Sequence, residues 1–192
     1  TCAGVGAGVT FWLWVTVGIG VILELFLSAC SLGGNGMIMD NDQKIANDKF
    51  EEILEVIQSQ NSDMLTALFS KESIHDEETF NNSVEKLFEY FTGTVESYDD
   101  WGACHVETTK EDDQILQIME STYDVKTTEC EYRFAVRYIA KDTVNSDNVG
   151  VQSLYVIRMQ DDIYTEYTYW GDGKYTPGIN IGIPNAEWWK SI

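Results

Sequence analysis

A chain of 192 residues has room for one ordinary domain and a leader segment, since single domains commonly run to about 100–200 residues. Its 44% hydrophobic, 12% aromatic and 23% charged residues exclude wholesale disorder, because that much apolar and aromatic area can close a core. The formal charge of −20, from 32 acidic and 12 basic residues, excludes a nucleic-acid partner: an acidic surface repels phosphate and forgoes counterion release. Anionic lipid headgroups are disfavoured for the same reason, so membrane attachment needs a covalent lipid or an apolar segment.

From Thr1 to Leu23 there is no charged residue, and Phe11-Trp12-Leu13-Trp14-Val15 through Val21-Ile22-Leu23 is strongly apolar. Such a run belongs in a bilayer. It departs from a secretory leader in lacking a basic n-region and in carrying Glu24. The segment Leu27-Ser28-Ala29-Cys30 resembles the bacterial lipobox, in which a branched and two small residues precede a cysteine that receives diacylglycerol. The resemblance implies a signal peptide over residues 1–29, lipid on Cys30, and a Gly-rich tether over 30–39. An uncleaved signal anchor is the other reading of the same run, which is long enough to span about 30 Å of hydrocarbon. Both readings put the remainder, residues 40–192, outside the cytoplasm as a single domain.

Helical spacing dominates the first half of that domain. Asp40 or Asp42 can cap a helix whose apolar positions are Ile45, Phe50, Ile53, Leu54 and Ile57, with Asn61-Ser62 interrupting it. A shorter helix carries Met64, Leu65, Leu68 and Phe69. A third starts near Asp76, with Glu77 and Glu78 favoured by the helix dipole, and sets Phe80, Val84, Leu87, Phe88 and Phe91 along one stripe. Gly93 is expected to end it in the left-handed conformation.

After Gly93 the period changes. Segments 95–108, 115–125, 131–140, 149–159 and 163–170 are rich in aromatic and β-branched residues and are parted by polar turns such as Glu111-Asp112-Asp113. They predict an antiparallel meander. The fold class is therefore α+β, with three N-terminal helices packed on a curved sheet of four to five antiparallel strands. Of the cysteines, Cys2 leaves with the leader and Cys30 takes the lipid. Cys104 and Cys130 fall on the first and third strands of the meander. Next-nearest strands stand about 9–10 Å apart, past the roughly 7 Å limit for a disulfide, so two free thiols are expected.

Leu87-Phe88-Glu89-Tyr90-Phe91-Thr92-Gly93, Asp147-Asn148-Val149-Gly150 with Val156-Ile157-Arg158, and Tyr169-Trp170 with Pro177-Gly178-Ile179 resemble stretches of a family of uncharacterised bacterial lipoproteins. That family is similar in fold to nuclear transport factor two, a cone-shaped, cystatin-like α+β architecture. The resemblance spans roughly residues 44–183. It implies a pocket between the sheet and the helices, and it supplies no catalytic residues.

Tyr123, Tyr132, Tyr155, Tyr169 and Trp170 are the candidates to line such a pocket, against the simpler reading of an ordinary aromatic core. Acid–base chemistry would need a buried carboxylate or histidine. His75 precedes a helix cap, His105 has no evident partner, and most carboxylates stand in caps and turns; Glu120 and Asp172 are the candidate pocket carboxylates. A calcium loop counted from Asp40 puts Asp42 third and Glu51 twelfth but Lys44 fifth and Ile45 sixth, where an oxygen ligand and glycine are needed, so no metal or other cofactor is expected. These residues point to a lipid-anchored binding or accessory module, its partners the membrane through Cys30 and a small apolar ligand or a protein. The alternatives are a pocket enzyme of the ketosteroid-isomerase or dehydratase kind, and an envelope immunity or inhibitor protein that neutralises a cationic partner.

Overall fold

The helical spacing of the first half produces three helices in a computed structural model of the chain, which describes residues 41–102, 104–162 and 176–182. The predicted leader, Cys30, the tether, Asp40, the strand expected over 163–170, Tyr169, Trp170 and Asp172 lie outside the described residues.

Helix α1 runs Asn41–Ser59 and buries Ala46, Phe50, Ile53, Leu54, Val56 and Ile57, the i, i+3, i+4 stripe of one helix face. Ile45 falls off that stripe and is exposed. Helix α2, Ser62–Leu68, starts where the Asn61 side chain accepts from the Met64 amide. Helix α3, Glu77–Tyr90, starts in the same way, with Asp76 accepting from the Thr79 amide at 2.9 Å. Each cap satisfies a donor that the first turn would leave unpaired.

Gly93 is left-handed, with φ of +82°, but α3 has already ended at Tyr90. Its role is close approach instead of helix capping: a Cβ there would meet Thr127 Oγ1 at 2.7 Å and the Glu129 amide at 3.0 Å.

The second half forms β1 (Val95–Asp100), β2 (His105–Glu111), β3 (Gln114–Thr127), β4 (Glu131–Asp142), β5 (Gly150–Arg158) and β6 (Gly178–Ile181). Three of the expected strands are present near their predicted bounds, and two corrections apply. The single strand expected over 95–108 is broken at Trp101-Gly102, where Gly102 takes φ of +75° and its amide donates to Asp100 Oδ1. Both fragments pair with the 14-residue β3, β1 along its C-terminal half and β2 along its N-terminal half. The sheet is also mixed and not wholly antiparallel, because β6 pairs in parallel with β5. Among the described residues the sheet has six strands, against the four or five expected.

Register assigns the two faces. Tyr123 and Val125 on β3, Tyr132, Phe134 and Val136 on β4, and Leu154 and Val156 on β5 share one side and pack with Phe50, Ile53, Leu87 and Phe91 from the helices. That is the core. Each of these side chains contributes on the order of 1.5–3 kcal/mol when fully buried. Among the described residues, no helix is long and apolar enough to cross a membrane.

Candidate functional site

On the helix-facing side the aromatic rings pack against one another. Phe50 stacks on Tyr123, with ring centroids 3.7 Å apart, and meets Phe134 edge-on at 5.4 Å. Tyr132 is tilted against Phe91 at 4.7 Å. Its hydroxyl accepts from the Thr92 amide at 2.8 Å and donates to the Tyr90 carbonyl at 3.0 Å, so it closes off the end of α3. The Tyr123 hydroxyl and Ser121 Oγ are buried beside each other, and neither makes a well-formed hydrogen bond to any other group. Burial pushes the Tyr123 and Tyr98 phenols well above their ordinary range, and burial likewise raises the Cys104 thiol. These groups stay protonated at neutral pH, which suits hydrogen bonding and packing more than proton transfer.

Tyr155 does not join Tyr123 and Tyr132. It pairs with Ala135 on the opposite face of the sheet, where its hydroxyl accepts from the Thr176 amide at 2.6 Å. Beside the buried Ala135, Tyr155 and Ile157, that outer face carries paired charges. Arg133 bonds Asp124 and Asp162, each at 2.8 Å, and its guanidinium lies 4.5 Å from the Trp101 ring centroid. Arg137 lies 3.4 Å from Glu120. Burial raises the Glu120 carboxyl above its usual range, with Arg137 and then His105, its register partner, pulling the other way.

Cys104 and Cys130 are free thiols. Cys130 lies in the β3–β4 turn and not on a third strand, while Cys104 lies just before β2, opposite the middle of β3. The length of β3 between their levels, about 20 Å at 3.3 Å per residue, keeps them apart.

A cavity among the described residues lies at the end of the sheet. It is a cleft of about 350 Å³ between the β3–β4 turn and the end of β5, lined among others by Lys126, Thr127, Thr128, Cys130 and Arg158. Its wall is fixed by local bonds. Thr127 Oγ1 donates to the Thr92 and Cys130 carbonyls and receives the Glu129 and Cys130 amides, pinning the turn against Thr92-Gly93. Arg158 is held from two sides. Its guanidinium stacks 4.5 Å from the Tyr90 ring centroid and Nη2 donates to the Tyr90 carbonyl at 3.0 Å, while the Arg158 amide donates to the Tyr90 hydroxyl.

Sequence reading missed this place, although Tyr90-Phe91-Thr92-Gly93 and Val156-Ile157-Arg158 both end at it. A signal was available in the three arginines of the chain. Arg133 and Arg137 oppose Asp124 and Glu120 across β3–β4, whereas Arg158 opposes Tyr132.

Among the described residues, no group of three or more His, Cys, Asp or Glu could hold a metal ion. Residues 52–159, more than half of the chain, match a family model described as a domain of unknown function, DUF5104. No curated protein matches the chain.

Proposed function

The chain belongs to the DUF5104 family, and from that premise we propose that it is a lipid-anchored binding module at the outer face of the bacterial cell membrane, working without catalysis. The lipobox resemblance at Leu27-Ser28-Ala29-Cys30 supports the anchor. The cone architecture of nuclear transport factor two belongs to the same reading, supported by three helices that precede a sheet and pack on one of its faces.

One observation carries the binding role: the cleft at the end of the sheet presents a guanidinium held rigidly by Tyr90, beside threonine hydroxyls and a thiol. Such a wall recognises by charge and hydrogen bonding. Tyr132 supports the site from the core side, beside Arg158, whereas Tyr123 stacks on Phe50 in the core.

Feeding cells a labelled fatty acid tests the anchor. Label should appear on the wild-type chain and vanish with Cys30→Ala, and the variant should leave the membrane fraction. Label retained by Cys30→Ala would overturn the anchored reading.

A second reading, a pocket enzyme, draws on Glu120 alone, whose carboxyl is raised by burial beside Arg137 and His105. Turnover of a ketosteroid or hydroxyacyl substrate that is lost in a folded Glu120→Gln variant would favour it over the binding reading.

A further inference from the structure

In a protein of net charge −20, cations are scarce, and three of the six on the described strands are already matched by carboxylates. Arg133 and Arg137 are ion-paired, and Lys126, at the rim of the cleft, reaches Glu96 at 3.2 Å. Arg158 differs from them. No carboxylate stands within ion-pair distance of it among the described residues, and its Nε is shielded from solvent with no hydrogen-bond partner. Its partners are neutral: the Tyr90 carbonyl, the Tyr90 ring and the nearby Tyr132 hydroxyl.

A fixed guanidinium whose terminal nitrogens carry donors beyond the one given to the Tyr90 carbonyl, set in a cleft of about 350 Å³, is arranged for an oxygen anion. Guanidinium forks match carboxylate and phosphate oxygens, and a side chain already immobilised loses little entropy on binding. Thr128 lines the same cleft and offers a hydroxyl as a further donor. Exposed Glu129 and Glu131 stand at the rim, so a densely charged polyanion would be repelled.

We infer that the Arg158 cleft binds a small molecule through a single oxyanion group, a carboxylate or a phosphate. The inference rests on the binding reading above and names the ligand chemistry of that site.

The chain has three arginines, so its side-chain Nε–Hε spectrum holds three resonances, and the burial of Arg158 Nε keeps that proton from rapid exchange. The full chain, ¹⁵N-labelled and held in an uncharged detergent, is titrated separately with inorganic phosphate and with sodium acetate, against sodium chloride at equal ionic strength. The Arg158 resonance should move with saturation in at least one titration while those of Arg133 and Arg137 stay still. Movement with phosphate alone assigns a phosphate ligand, and movement with acetate alone a carboxylate.

Arg158→Lys keeps the charge and removes the fork, and should weaken the better anion at least tenfold, followed through the Cys130 and Thr128 amides. Unchanged Arg133 and Arg137 resonances show that this variant is folded. Lys110→Gln, which removes an exposed charge on β2, should bind as wild type.

No saturable movement of the Arg158 resonance, equal movement of all three, or undiminished binding by Arg158→Lys would each overturn the inference. The fatty-acid labelling of Cys30 and the Glu120→Gln assay are read independently, so failure here leaves the anchored and non-catalytic readings standing.

Discussion

The two faces of one sheet are buried by opposite chemistries. Toward the helices, Phe134, Tyr123, Val136 and Leu154 exclude water by apolar contact, and close packing without direction suffices. On the outer face Arg133, Asp124, Asp162, Arg137 and Glu120 are largely shielded and hold one another by charge. Buried ion pairs add little net stability but are costly to break. The helix-facing side therefore supplies most of the folding energy, and the outer face fixes which strands lie side by side.

Phe134→Ala should cause the largest loss. Phe134 is fully buried between Phe50 and Phe91, and truncation leaves a cavity worth about 3–5 kcal/mol. Chemical denaturation should show it, equally at low and high salt. A loss under about 1.5 kcal/mol would mean that the core relaxes around the void.

Arg133→Met comes next, at about 2–3 kcal/mol, because Asp124 and Asp162 lose the guanidinium between them while Asp124 is exposed enough to be partly rehydrated. Salt should separate the two variants. The Arg133→Met loss should shrink in 1 M salt as the stranded carboxylates are screened; a salt-independent loss would show that stacking on Trp101 is the larger contribution.

The buried tyrosines sharpen the comparison within one face. Tyr132→Phe strands the Thr92 amide, while the Tyr90 carbonyl keeps its bond from Arg158 Nη2, at about 1–3 kcal/mol in a urea melt. Tyr123→Phe removes a hydroxyl that has only the Ser121 hydroxyl beside it and should change stability by less than about 1 kcal/mol.

Its pH signature has a definite sign. The folded-state pKa of Tyr123 is raised above the ordinary value of 10.0, so the folded protein keeps a proton that the unfolded chain releases. The contribution is complete below about pH 10 and is lost as pH rises beyond it. Tyr123→Phe should flatten the alkaline limb of the stability curve, and an unchanged limb would show that Tyr98 or another group governs it.

The helices were legible because their apolar positions repeat at helical spacing and Asn61 and Asp76 mark two starts. The strands β3, β4 and β5 were legible because long β-branched and aromatic runs are parted by polar turns. The break between β1 and β2 was not, since one glycine after Trp101 is a weak signal within a long run of strand character. Nor was β6, where four residues, Gly178-Ile179-Asn180-Ile181, are too few for any period to show. Which alternate residues of β4 and β5 face inward depends on where the helices land, and this separates Tyr155 from Tyr132. The Arg158 cleft joins residues 90–93, 126–131 and 158–160, and no local pattern brings those three together.

The parallel pairing of β6 with β5 bears on how the chain comes off the ribosome. In β5 the run Val151-Gln152-Ser153-Leu154-Tyr155-Val156-Ile157 carries no charge and is buried on both faces, a composition that favours intermolecular strand pairing when its edge is open. Its partner lies about twenty residues further along, from Gly178, roughly one to four seconds of synthesis later at 5–20 residues per second. During that interval β5 lacks its β6 partner from Ser153 to Val156, while Phe69 and Ser70 already bond its Val151 end. Loss of residues after 175 should therefore appear first as aggregation of new chains, before any defect in ligand binding can be measured.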